Sequence, residues 1–138
     1  MRSRLISLVA LIVPLAAFAE VPADVLRLFT DAAEALANDD ASGFLDQFDN
    51  NMPGYATLRA NVEALLNGSE AISTVESISD QGDDRKRSLE LDWLLALNEK
   101  NAAGGRKQTR RGVLKCSVER QGKRWKIVAL EPVDFFRP

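Results

Sequence analysis

The sequence has 138 residues, 46% hydrophobic and 28% charged, with a formal net charge of −2 and no histidine. That length buries one core and not two, the apolar share excludes a disordered chain, and the acidic balance excludes the basic footprint of a nucleic-acid binder. A single cysteine, Cys116, excludes an intramolecular disulfide, so packing alone must hold the fold.

Arg2 and Arg4 precede an uncharged run over 5–19 that ends in Ala17-Phe18-Ala19, ahead of Glu20. This basic, apolar, small-residue order is the one a signal peptidase reads. Residues 1–19 are therefore expected to be a removed leader, and 20–138 a single exported domain, periplasmic or extracellular in a bacterium. The run is broken by Pro14 and falls short of the roughly 20 residues that span a bilayer as a helix, so no permanent membrane anchor is expected. The residue directly after the cleavage point is Glu20 and not a cysteine, which leaves lipidation unsupported. Charge is uneven beyond it: 20–68 carries two basic and nine acidic side chains, 69–138 fourteen basic and eleven acidic.

Over 22–36, Leu26, Phe29, Ala33 and Leu36, with Val25, Leu28 and Ala32 alongside, recur at helical spacing, behind Pro22 and a first-turn Asp24. Asn38-Asp39-Asp40 supplies a stop and then an N-cap for a short second helix carrying Phe44, Leu45 and Phe48, which Gly43 weakens. Asn50 to Gly54 breaks the chain. Tyr55, Leu58, Val62 and Leu65, widened by Leu66, then predict a third helix closed by Asn67-Gly68.

After Gly68 the period becomes alternating. Strands are expected over 71–79 and 86–98, joined by a turn at 81–84, with Leu89, Leu91, Trp93, Leu95 and Leu97 on one buried face. A turn over 101–105 leads to a strand carrying Leu114, Cys116 and Val118, and Gln121-Gly122-Lys123 to a fourth over 125–130. Consecutive hairpins make this an antiparallel sheet, and the fold class α+β: three helices laid on a curved four-stranded sheet.

The long first helix, the short one running through Phe44-Leu45-Asp46-Gln47-Phe48-Asp49, and the last hairpin with Gly122-Lys123-Arg124-Trp125-Lys126-Ile127-Val128 resemble the nuclear transport factor 2-like family. The resemblance covers nearly all of 22–136 and implies a cone in which the sheet wraps the helices around an apolar pocket. Family members place a small hairpin between the second and third helices, for which residues 50–54 are too few. Some members use that pocket for catalysis, the isomerase-like ones through an acidic base and an oxyanion donor; others bind ligands or fill it with side chains. Fold alone does not choose among these.

Tyr55, Trp93, Cys116 and Trp125 are the residues expected to line such a pocket, and the two tryptophans serve equally as core. Cys116, between Leu114 and Val118, reads as a buried inert thiol, since no histidine is present to activate it. Asp46, Asp49 and Tyr55 would form a base-and-donor set at the pocket mouth, but they also fit a solvated helix face and an apolar stripe. Asp92, amid Leu91, Trp93 and Leu94, is expected on the outer sheet face beside Arg111 or Lys115, as a pair rather than an acid. Basic clusters at 85–87, 106–111 and 123–126 read as guards of strand ends, or as attraction to anionic envelope lipids. Asp80, Asp83 and Asp84 lack calcium-loop spacing, and no metal, cofactor or catalytic residue is assigned.

Three readings remain: a non-catalytic exported domain binding a small apolar ligand or a protein partner, an isomerase- or dehydratase-like enzyme, and a homodimer joined through an outer face exposing Val113, Val128 and Leu130.

Overall fold

In the computed structural model, which describes residues 21–100 and 104–138, the first amphipathic segment is helix α1, Ala23–Ala37. The expected leader and residues 101–103 of the expected turn lie outside the described residues. Pro22 is the N-cap, and its carbonyl accepts from the Val25 amide at 3.0 Å. Val25, Leu28, Phe29, Ala32, Ala35 and Leu36 turn inward. Leu26 does not: it is 46% exposed, because about 100° of rotation per residue carries it past the edge of that stripe.

The exit from α1 is tight. Asp39 adopts a left-handed φ of 58°, the Asp39 amide returns to the Leu36 carbonyl at 3.1 Å, and the Asp40 amide to the Ala35 carbonyl at 2.8 Å. Asp40 then caps α2, Ala41–Leu45, its carboxylate accepting from the Gly43 amide at 2.9 Å. Gly43 is thus a condition of the helix more than a weakness in it. A Cβ there would lie 2.3 Å from the second oxygen of the capping Asp40 carboxylate and 3.3 Å from the Ala35 methyl.

No hairpin separates α2 from α3, Tyr55–Gly68, among the described residues. Instead Phe48 forms an isolated parallel bridge to Ile127, with the Asp49 amide donating to the Ile127 carbonyl at 2.8 Å and the Ile127 amide to Gln47 at 2.9 Å. This segment covers an edge of the sheet that would otherwise stand unpaired.

The sheet is an antiparallel meander in the order β1 (Ser69–Gly82), β2 (Lys86–Glu99), β3 (Lys107–Gln121), β4 (Arg124–Glu131). Leu89, Leu91, Trp93, Leu95 and Leu97 are buried as the alternation requires, against α-helical Val25, Phe29, Leu58 and Val62. The expected α+β class holds, with longer strands than the sequence marked.

One expectation fails on β4. Strict alternation puts Leu130 on the outer face, but it is 3% exposed. The β3–β4 register slips between Ser117 and Val118: Val118 faces Ile127 while Ser117 faces Ala129, so Val128 is an extra residue and the parity inverts beyond it. Trp125, Ile127 and Leu130 all point inward, and Val128 is half-buried.

After Pro132 the chain makes a 3-10 turn, Val133–Phe136, that inserts Phe135 and Phe136 into the core. The sequence reading did not assign this element.

Candidate functional site

Phe136 stands where the cone would be open. It is fully buried, with ring centroids 5.2 Å from Trp93, 5.2 Å from Phe44 and 5.1 Å from Phe135, each edge-on. Gly112 makes room for this: it lies directly across from Trp93 in the β2–β3 register, and a Cβ on it would come within 3.1 Å of the Phe135 ring. Asn61 of α3 donates to the Val133 carbonyl at 3.3 Å. Arg110 donates from Nη1 to the carbonyls of Phe135, at 2.5 Å, and Arg137, at 2.7 Å. Burial, with Arg137 nearby, lowers the Arg110 pKa. None of Phe135, Phe136 and Gly112 was singled out in the sequence, and Arg110 was read only as part of a basic cluster at a strand end, although an aromatic pair so soon after a proline was a visible apolar signal.

The four residues expected to line one pocket do not share one. Trp93 and Cys116 are 1% and 3% exposed. Trp125 borders a shallow groove of about 150 Å³ beside α1, and Tyr55 lines a separate cleft. Burial pushes the Cys116 thiol up to about 12, so no thiolate forms at neutral pH.

That separate cleft, about 740 Å³, lies between α2, the start of α3 and the ends of β3 and β4. It brings Asp46, Asp49 and Tyr55 together, as the sequence suggested, and adds Arg59, Gln121 and Lys126. Its carboxylates are already engaged. Asp49 accepts from the Asn51 amide at 2.8 Å and from Gln121 at 2.7 Å, and these bonds hold its pKa below the ordinary 3.8. Asp46 lies 3.3 Å from Arg124 and 3.7 Å from Lys126, whose ammonium also donates to the Asp46 carbonyl. A general base needs a proton affinity raised toward neutrality, and the bonding of Asp49 works in the opposite direction.

Asp92 forms the expected pair with Arg111, two bonds of 3.0 and 2.6 Å on the outer face, and its pKa is lowered by them. Asp83 accepts from the amides of Arg85 and Lys86, both at 2.8 Å, and titrates low for that reason. Arg87 departs from its expected role as an edge guard: β2 is an inner strand, and Arg87 turns inward to Asp80 with bonds of 2.9 and 2.7 Å. Among the described residues no group of three metal-ligating side chains converges.

For Asp49, Asp83 and Asp92 the folded pKa is depressed, so each favours the folded state above the ordinary carboxylate value, and that contribution is lost as pH falls through the lowered one. Urea midpoints are therefore expected to drop below roughly pH 4. A midpoint unchanged on further acidification contradicts these assignments.

The outer sheet face carries a different chemistry. Ile72, Leu94 and Val113, on three successive strands, are 66%, 36% and 53% exposed. Acidic Glu70 and Glu76 flank them on β1, and basic Lys107, Arg111 and Lys115 on β3.

Three helices inside a four-stranded antiparallel meander match many solved structures. A conserved protein from Planctomyces limnophilus superposes with a TM-score of 0.68 at 10% identity, over 78% of this chain and 90% of that one. A nuclear transport factor 2-like superfamily protein from Salmonella enterica gives 0.59 at 12% identity, over 77% and 84%. The fold is that of the nuclear transport factor 2-like proteins. A hexachlorocyclohexane dehydrochlorinase shares it too, with a TM-score of 0.61 at 16% identity over 78% and 80%. No family model and no curated protein sequence matches the chain. Among the described residues of this nuclear transport factor 2-like fold, no helix is long and apolar enough to cross a membrane.

Proposed function

We propose that this chain is an exported, non-catalytic binding domain that meets a protein partner, a second copy of itself, through the outer face of its sheet. The carrying observation is the exposed Ile72, Leu94 and Val113 between an acidic strand and a basic one. A two-fold axis along β2 lays β1 of one copy over β3 of the other. Leu94 then meets its own counterpart, and Glu70 and Glu76 approach Lys107 and Arg111 across the interface. Leu130, named for this face from the sequence, belongs to the core instead.

Against the small apolar ligand stands Phe136, which occupies the cone in the resting chain. Against the enzyme stands the engaged state of Asp49, and likeness to a dehydrochlorinase at 16% identity carries a fold and not a site. Export rests on the order of residues 1–19. The mature protein is expected to scatter light as a dimer, and Leu94→Asp as a folded monomer. A wild-type monomer at the highest attainable concentration rejects the reading. Expressed with its leader in a bacterium, the exported chain is expected to begin at Glu20 by mass, and retention of residues 1–19 removes the export part.

A further inference from the structure

We propose that the bare edge of β1 is a docking site for a foreign strand, and that the strand it takes is an extended cationic segment of another protein. The two edges of the sheet are treated differently. At β4 the chain folds back and Phe48 bridges Ile127, whereas β1 ends the sheet on the other side and, among the described residues, no backbone bond reaches its outer edge. Residues 69–77 hold an unbroken register against 91–99, so about 30 Å of regular backbone is available for adding a strand. Natural edges are commonly short, bulged or covered. Here the bulge comes only after Ser77.

Charge decides what that strand is. β1 carries three acidic side chains, Glu70, Glu76 and Asp80, and no basic one. Asp80 is committed to Arg87, which leaves Glu70 and Glu76 exposed on the outer row of the strand, with Thr74 and the 66% exposed Ile72 between them. Glu76 lies opposite Asp92, a carboxylate facing a carboxylate, and Asp92 has taken the guanidinium of Arg111. Like charges directly opposite destabilise a sheet, and a cation arriving on the free side of β1 offsets that repulsion. A second copy of β1 does not fit, because laid antiparallel about Ser73 it sets Glu70 of each copy against Glu76 of the other.

The outer row also fixes a pattern. An antiparallel segment opposite Glu76, Thr74, Ile72 and Glu70 needs Lys or Arg at its first and seventh positions and an apolar residue at its fifth. Main-chain bonds to β1 supply the affinity, and that spacing supplies the selectivity. The strand adds in the plane of the sheet, beside the face proposed for self-association, so the two readings fail separately. Light scattering decides one and backbone protection the other.

The probe is the end-capped peptide Lys-Thr-Thr-Thr-Ile-Thr-Lys, added to the full chain and followed by calorimetry and by hydrogen exchange of the amides at residues 69–77. It is expected to bind saturably and to slow exchange on that strand. Its counterpart with Glu in place of both Lys is expected not to bind. Glu70→Gln combined with Glu76→Gln is expected to weaken the cationic peptide about tenfold, the scale of two cross-strand charge pairs, and to remove most of its salt dependence. Two N-methylated versions, blocking alternate amides in opposite phase, separate strand addition from charge attraction, since a strand turns only every second amide to a given neighbour. One is expected to lose binding and the other to keep it. Equal binding by the two N-methylated versions, equal binding of the Lys and Glu peptides, or binding of none of them overturns the proposal.

Discussion

Phe136→Ala is expected to lower the unfolding free energy by about 3–5 kcal/mol, the range for deleting a buried aromatic ring whose surroundings only partly collapse. Phe136 is the residue through which separate parts of the core touch: Phe44 from α2, Trp93 from β2 and Phe135 of its own turn all contact its ring. Neither Phe44 nor Trp93 can move into the gap without dragging a buried helix or strand. Urea unfolding should show a lower midpoint at unchanged slope. A loss below about 1 kcal/mol, the scale of an exposed-site change, shows that the ring is not a core element.

The second large effect is expected at the far end of the sheet. Asp80→Ala should cost about 3 kcal/mol, the low end of the range for removing one partner of a buried ion pair. The side chains of Asp80 and Arg87 are 4% and 11% exposed, so the deletion leaves a guanidinium with little water to replace its partner. The low end applies because Arg87 keeps the Asp83 carbonyl at 2.8 Å. The charge, not the lost bond, is the main penalty. Adding Arg87→Met to Asp80→Ala should therefore recover most of the stability, since an apolar side chain carries no charge to strand. Equal midpoints for the single and double variants exclude this account.

Both effects lie where the sequence was hard to read. Arg87 sits in the run Arg85-Lys86-Arg87, which locally reads as solvated charge, and only the antiparallel register to Asp80 turns one of the three inward. Phe135 and Phe136 form too short a segment for a period of either 2 or 3.6 to show, so periodicity had nothing to report there. Leu130 was assigned to the wrong face because a bulge at Val128 inverts parity, and no residue type at that position announces it. Leu26 was placed in a stripe whose width is set by what packs against it, not by the helix.

The candidate site divides the same way. Asp46, Asp49 and Tyr55 were rightly grouped, because they are neighbours along the chain and a short helix with its following loop keeps them close. Asp92 with Arg111 was also legible, since alternation fixes the face and a cross-strand diagonal supplies the partner. The commitment of Asp49 to Gln121, 72 residues away, was not.

By itself, the sequence determined the three helices and four strands, their order and most of their buried faces: three amphipathic helices, then an alternating meander with Leu89 to Leu97 turned inward. These follow from periods of 3.6 and 2 and from local breakers, which act within a few residues. Only the tertiary structure decided what fills the cone, which of the charged residues are paired, and where register slips. Those outcomes depend on contacts between residues distant in the chain, such as Phe44 with Phe136 and Trp93 with Gly112, and local pattern carries no information about partners that far apart.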